Sequence, residues 1–206
     1  VILNGGEKPN ILPEKAAVWQ FVRANTTSDL RRIAKRMDDI AAGAALMTGT
    51  TFTKKVLTGC NETRIVPALV QIMHDVMTHE VHPPIWTAEL LGSLGVDVPE
   101  HPLHRDVVIP SGKTINILGS SDLSDVSYVT PTCMLFGACY PVGTPNHTWA
   151  VTACSGQSIG QKGMLYAAQV MAATGLHLVR DPALVKAVRA SYEEALAGAQ
   201  YAPVNE

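Results

Sequence analysis

The hydrophobic period changes once along this chain, between Gly59 and Pro67, and that change limits what the 206 residues can fold into. Before it, Val1-Ile2-Leu3 reads as the end of a buried strand, and Gly5-Gly6-Glu7-Lys8-Pro9-Asn10 is turn chemistry. Ala16 to Arg23, rich in β-branched and aromatic residues, predicts a second strand. Thr26-Thr27-Ser28-Asp29 then offers N-cap hydroxyls and a first-turn carboxylate. Leu30, Ile33, Ala34, Met37, Ile40 and Ala41 follow at helical spacing, predicting a helix to about Thr48 with Gly49 as its stop. Thr50 to Leu57 alternates well enough for another strand. Strand, strand, helix, strand predicts part of a small α+β layer.

After the change, Leu69, Ile72, Met73, Val76 and Met77 mark an amphipathic helix that Pro83-Pro84 must end. A second amphipathic helix is expected over Thr87 to Leu94, followed by a Pro- and His-rich loop through Pro110. The apolar Ser127 to Tyr140 run could hold two short buried strands, and Gly143 to His147 is a loop. Lys162 to Leu178 predicts a buried helix, and Pro182 to Gln200 a last helix with Pro in its first turn. There is no internal repeat.

A hydrophobic share of 47% is enough for a real core. Sixteen Lys and Arg against 18 Asp and Glu leave a net charge of -2, so no basic surface for non-specific nucleic-acid binding can be assembled. No apolar stretch reaches the roughly 20 residues that cross a bilayer. The chain opens on Val1 inside what reads as a strand, which predicts that it is part of a longer protein. Cys60, Cys133, Cys139 and Cys154 form no C-x-x-C pair and are expected to be buried free thiols, with a cytoplasmic location as the default.

His147 lies in a loop directly after the apolar run, where α/β proteins gather ligands, although a loop histidine is also an ordinary surface residue. His79 and His82 have the wrong spacing for H-E-x-x-H and read as a solvated helix end. His101 and His104 stand in a polar loop, and His177 reads as partly buried and structural. Asn10 and Arg23 flank the second strand. A carboxamide and a planar guanidinium so placed could share one carboxylate, or they could be a turn residue and a solvated face. Gly119-Ser120-Ser121-Asp122-Leu123-Ser124-Asp125 could present hydroxyls to a polar substrate or merely cap the next element.

Asn4-Gly5-Gly6-Glu7-Lys8-Pro9-Asn10-Ile11-Leu12-Pro13-Glu14 with Arg23 resembles the lid-domain signature of the M20 family of metallopeptidases and amidohydrolases. Gly43 to Thr50, Gly119 to Ser127, Gly143-Thr144-Pro145-Asn146-His147-Thr148-Trp149 and Lys162-Gly163-Met164 resemble its aminobenzoyl-glutamate utilization branch. The resemblance implies an α/β catalytic sandwich with two divalent ions, Zn or Mn, and an inserted ferredoxin-like α+β lid that also makes a homodimer. Residues 1–58 would be the second half of the lid and 59–206 the C-terminal half of the catalytic domain.

On this resemblance His147 matches the family's last metal ligand, Asn10 and Arg23 match lid residues that hold the substrate's carboxylate, and Ser120, Ser121 and Asp122 match a loop lining the cleft. The other metal ligands, the glutamate base and the lid histidine belong to the first half of such proteins, so no catalytic residue is expected here. The implied reaction is metal-dependent cleavage of the amide bond of an N-aroyl or N-acyl amino acid, with p-aminobenzoyl-glutamate leading. Another aromatic acyl-amino acid conjugate or a dipeptide is the alternative substrate, and a non-catalytic dimerisation fragment the alternative role. A second related subunit is a further expected partner; nucleic acid and membrane are not.

Overall fold

The computed structural model describes residues 1–84, 107 and 119–204. The helix expected over Thr87 to Leu94, His101 and His104 lie outside the described residues. The chain divides into two compact units, residues 1–62 with the terminal residues from Ala202, and residues 63–201.

In the first unit, β1 (Ile2–Asn4) pairs antiparallel with β2 (Ala17–Val18), in register Ile2 with Val18 and Asn4 with Ala17 across an irregularity. Val1 and Trp19 extend the pairing by exchanging two 2.8 Å backbone bonds. The Asn4 carboxamide closes the loop between the strands. Its Oδ1 accepts from the Gly6 N–H at 3.1 Å and its Nδ2 donates to the Lys15 carbonyl at 3.1 Å.

Helix α1 (Thr27–Thr48) begins and ends where its caps dictate. The Thr26 hydroxyl accepts from the Asp29 N–H at 3.1 Å, and Gly49 takes the left-handed conformation at φ 64°. Arg32, then the Thr26 hydroxyl, holds the Asp29 carboxyl below the usual carboxylate range. The Glu62 carboxylate accepts from the Thr27 N–H at 2.9 Å, adding a negative charge at the helix N-terminus. No residue of α1 is fully buried, and Leu46 is 84% exposed.

Two strand expectations are corrected here. The run from Ala16 to Arg23 is a ladder only at Ala17–Val18, because β1 offers it just three residues. Thr50 to Leu57 is irregular; it has no ladder partner among the described residues, and Lys54 instead reaches back to Asp38 of α1 at 2.7 Å. Alternation without a neighbouring strand does not make a sheet.

The second unit is helical. Helix α2 (Pro67–His79) packs against both α5 (Ser158–Arg180) and α6 (Pro182–Leu196), and the short α4 (Trp149–Ser155) packs against α5. Val66 and Leu69 meet Val188 and Tyr192 in one core cluster, while Met73 and Val76 meet Tyr166 and Val170 in another. A single turn, α3 (Leu123–Val126), precedes the buried Ser127 and Tyr128. The two short strands expected in Ser127 to Tyr140 do not form. Burial nevertheless alternates there: Cys133 and Leu135 pack inward while Met134 and Phe136 face solvent. The described residues are mostly helical with one two-stranded sheet. The lid and sandwich forms are not seen among them.

Glycines set how closely α5 is approached. A Cβ on Gly163 would lie 2.6 Å from the Ala138 carbonyl oxygen and 2.5 Å from the Cys139 sulfur, and one on Gly160 would lie 2.6 Å from the Cys154 carbonyl oxygen. Gly175, later in the same helix, has open space around it. All four thiols are free; Cys154 is buried and the other three are half-buried, short of the expected full burial. Burial pushes the thiols of Cys133 and Cys139 up from the ordinary range.

Candidate functional site

The loop from Tyr140 to Thr148 is built by local hydrogen bonds. Pro141 is buried, Gly143 sits at φ 86°, and the Thr144 N–H donates to the Pro141 carbonyl at 3.2 Å, turning the chain back. The Tyr140 hydroxyl donates to Asn146 Oδ1 at 2.7 Å across the loop. Thr148 Oγ1 donates to the Pro145 carbonyl at 2.8 Å, directly before α4.

His147 stands at the joint between this loop and α4 with φ 60°, one of two described non-glycine residues at positive φ. Such a conformation costs a side-chain-bearing residue free energy, and it persists where neighbouring structure or function demands it. The imidazole is exposed and has no hydrogen-bond or ion-pair partner among the described residues. A neutral imidazole with a free ring nitrogen is a good donor to Zn²⁺ or Mn²⁺. No group of three His, Cys, Asp or Glu gathers among the described residues, so these residues fit one ligand of a metal site rather than a complete site.

The other candidates divide. Ser121 is engaged in starting α3: its hydroxyl accepts from the Leu123 N–H at 3.2 Å and donates to Asp122 Oδ1 at 3.3 Å. Its carbonyl accepts from the Ser124 N–H at 3.2 Å. Ser121 thus makes local turn bonds ahead of α3, and Ser120 is exposed beside it. Asn10 is exposed in the turn closed by the Ile11 N–H to the Lys8 carbonyl. Trp19, Phe21 and Arg23 lie next to one another along the extended chain, the two rings tilted at 43°. The two rings are 5.6 Å apart, and the Arg23 guanidinium carbon lies 5.3 Å from the Phe21 centroid. Asn10 and Arg23 belong to the first unit, and Ser120, Ser121 and His147 to the second.

His177 is partly buried, as expected, its Nε2 2.6 Å from Glu80 Oε1. His79 and His82 are exposed. Sequence reasoning missed Tyr140, whose six-residue distance from Asn146 fits no common motif. It also passed over Gly156-Gln157-Ser158-Ile159-Gly160, which has the G-x-S-x-G spacing of a nucleophile elbow. Ser158 opens α5 after a helix, not a strand, so the elbow's structural context is missing, and Gly160 serves close packing on Cys154. No helix among the described residues is long and apolar enough to cross a membrane.

Nearly the whole chain aligns with relatives that are M20-family peptidases. It is similar to one of the subunits of the p-aminobenzoyl-glutamate hydrolase of Escherichia coli (strain K12), at 31% identity over 93% of this chain and 46% of the relative. It is also similar to the Xaa-Arg dipeptidases of Mus musculus, 27% identical over 94% of the chain and 39% of the relative, and Homo sapiens, 26% identical over 98% and 41%. The chain thus spans less than half the length of the curated relatives it matches. No family model and no solved structure matches it.

Proposed function

We propose that this chain is part of a metal-dependent amidohydrolase that cleaves the amide bond of an N-aroyl or N-acyl amino acid, p-aminobenzoyl-glutamate first among them. The single observation that carries the reading is His147, exposed, unpartnered among the described residues and held at positive φ in the loop that resembles the family's last metal-ligand motif. The name of the bacterial relative supports the substrate. The names of the two dipeptidases favour a second reading, hydrolysis of a dipeptide ending in arginine.

In the proposed enzyme, residues 1–58 form part of a ferredoxin-like lid and 59–206 part of an α/β catalytic sandwich. The lid pairs two copies, alone or with a second related subunit, and the protein works in the cytoplasm. His147 donates one ring nitrogen to a divalent ion whose remaining ligands lie outside the described residues. When bound, a pair of Zn²⁺ or Mn²⁺ ions supplies a water acidified toward neutral pKa and positive charge facing the developing oxyanion. Arg23 and Asn10 hold the carboxylate of the departing amino acid, and Ser120 and Ser121 line the cleft.

Full-length protein incubated with p-aminobenzoyl-glutamate and either ion is expected to release glutamate. No release under either ion overturns the substrate, and release of arginine from an Xaa-Arg dipeptide in its place establishes the second reading. Arg23→Ala is expected to raise KM roughly ten- to a hundredfold with little change in kcat, the size of about 1.5–3 kcal/mol of charge-assisted bonding. Arg23→Lys should recover little of this, because an ammonium lacks the planar fork. An unchanged KM would show Arg23 to be a solvated face residue.

A further inference from the structure

We propose that Tyr140 is a positioning residue for His147, an inference that rests on the reading of His147 as a metal ligand. The bond from the Tyr140 hydroxyl to Asn146 Oδ1, 2.7 Å long, ties the half-buried start of the loop to the residue immediately before His147. On the other side Thr148 is tied to Pro145 at 2.8 Å and leads straight into α4. The imidazole is therefore carried on a joint whose two flanking residues are each held by a side-chain bond, while the imidazole itself is held by none among the described residues.

The positive φ at His147 is less favourable for a histidine than the extended alternatives. Releasing Asn146 lets the Asn146–His147 peptide turn toward those alternatives and swings the imidazole away. Tyr140 thus touches neither substrate nor ion, and acts only through the loop. Groups that orient a ligand in this way alter metal affinity about 10- to 100-fold when removed.

The test uses full-length protein carrying Tyr140→Phe, Asn146→Ala, both changes, or His147→Ala, with metal affinity measured by chelator competition and thermal midpoints by metal-free melting. Each of the first two variants is expected to weaken the affinity for one ion about tenfold, the double variant no further, with the metal-free midpoint unchanged. Hydrolysis by Tyr140→Phe should return to the native rate at saturating metal. Native affinity in Tyr140→Phe while His147→Ala loses an ion overturns the positioning role and leaves the reading of His147 intact. A fall in the metal-free midpoint that accounts for the lost affinity assigns the bond to stability alone and also overturns it. Retention of both ions by His147→Ala defeats the reading of His147 itself.

Discussion

His147→Ala in the full-length protein is expected to lose one of the two proposed divalent ions and nearly all of the proposed hydrolysis, while the fold survives. The imidazole is exposed and makes no polar contact among the described residues, so its removal leaves no cavity and no unpaired buried group. The conformation at φ 60° sharpens the expectation. Glycine occupies that region without steric cost, so His147→Gly should stabilise the metal-free protein by about 1 kcal/mol even as it loses the ion. A residue kept for packing would lose stability and function together, whereas one kept for ligation trades the first for the second. Metal analysis together with thermal melting separates the cases, and full metal content in His147→Ala overturns the assignment.

Gly163→Ala lowers stability by about 2 kcal/mol. A mid-helix Gly→Ala change ordinarily gains up to about 1 kcal/mol, because alanine restricts the unfolded chain and favours the helix. Against this, the new methyl group would meet the Ala138 carbonyl oxygen at 2.6 Å and the Cys139 sulfur at 2.5 Å. The sulfur can rotate away, but the carbonyl belongs to backbone and can move only with its segment. Overpacking of this kind costs about 3 kcal/mol. Gly175→Ala, in the same helix with nothing near, is the internal control and should stabilise. Denaturant melts of the two variants should therefore shift in opposite directions; a shift of Gly163→Ala toward higher stability would show that residues 137–139 yield at no cost.

The helices were legible because their signals are local. Thr26, Asp29 and Gly49 bound α1, and Pro67 and Pro182 open α2 and α6, each through chemistry contained within a turn or two. The strands were not, since a strand is completed by a neighbour at a distance no pattern specifies. Residues 133–136 keep the alternating burial of a strand without becoming one, and Thr50 to Leu57 lies without a ladder partner among the described residues. For the site, the position of His147 at the loop's end was readable from the glycine and prolines around it. Its positive φ was not, because a left-handed conformation at a residue other than glycine has no local signal in the sequence. Ser121 looked equally suited to ligand binding and to a local turn, and the bond from the Leu123 N–H to its hydroxyl is a contact that composition alone did not specify.

The carboxamide of Asn4 has a consequence for how the protein can change over generations. By joining Gly6 to Lys15 it fastens the base of the loop, while Asn10 rides in the tip. Lengthening a fastened loop costs only about 0.6 kcal/mol per doubling of its length. Residues beside Asn10 in the tip can therefore be inserted or replaced while the strand pairing below stays as it is. Asn4 has no such latitude, because its loss frees both ends of the loop that carries Asn10.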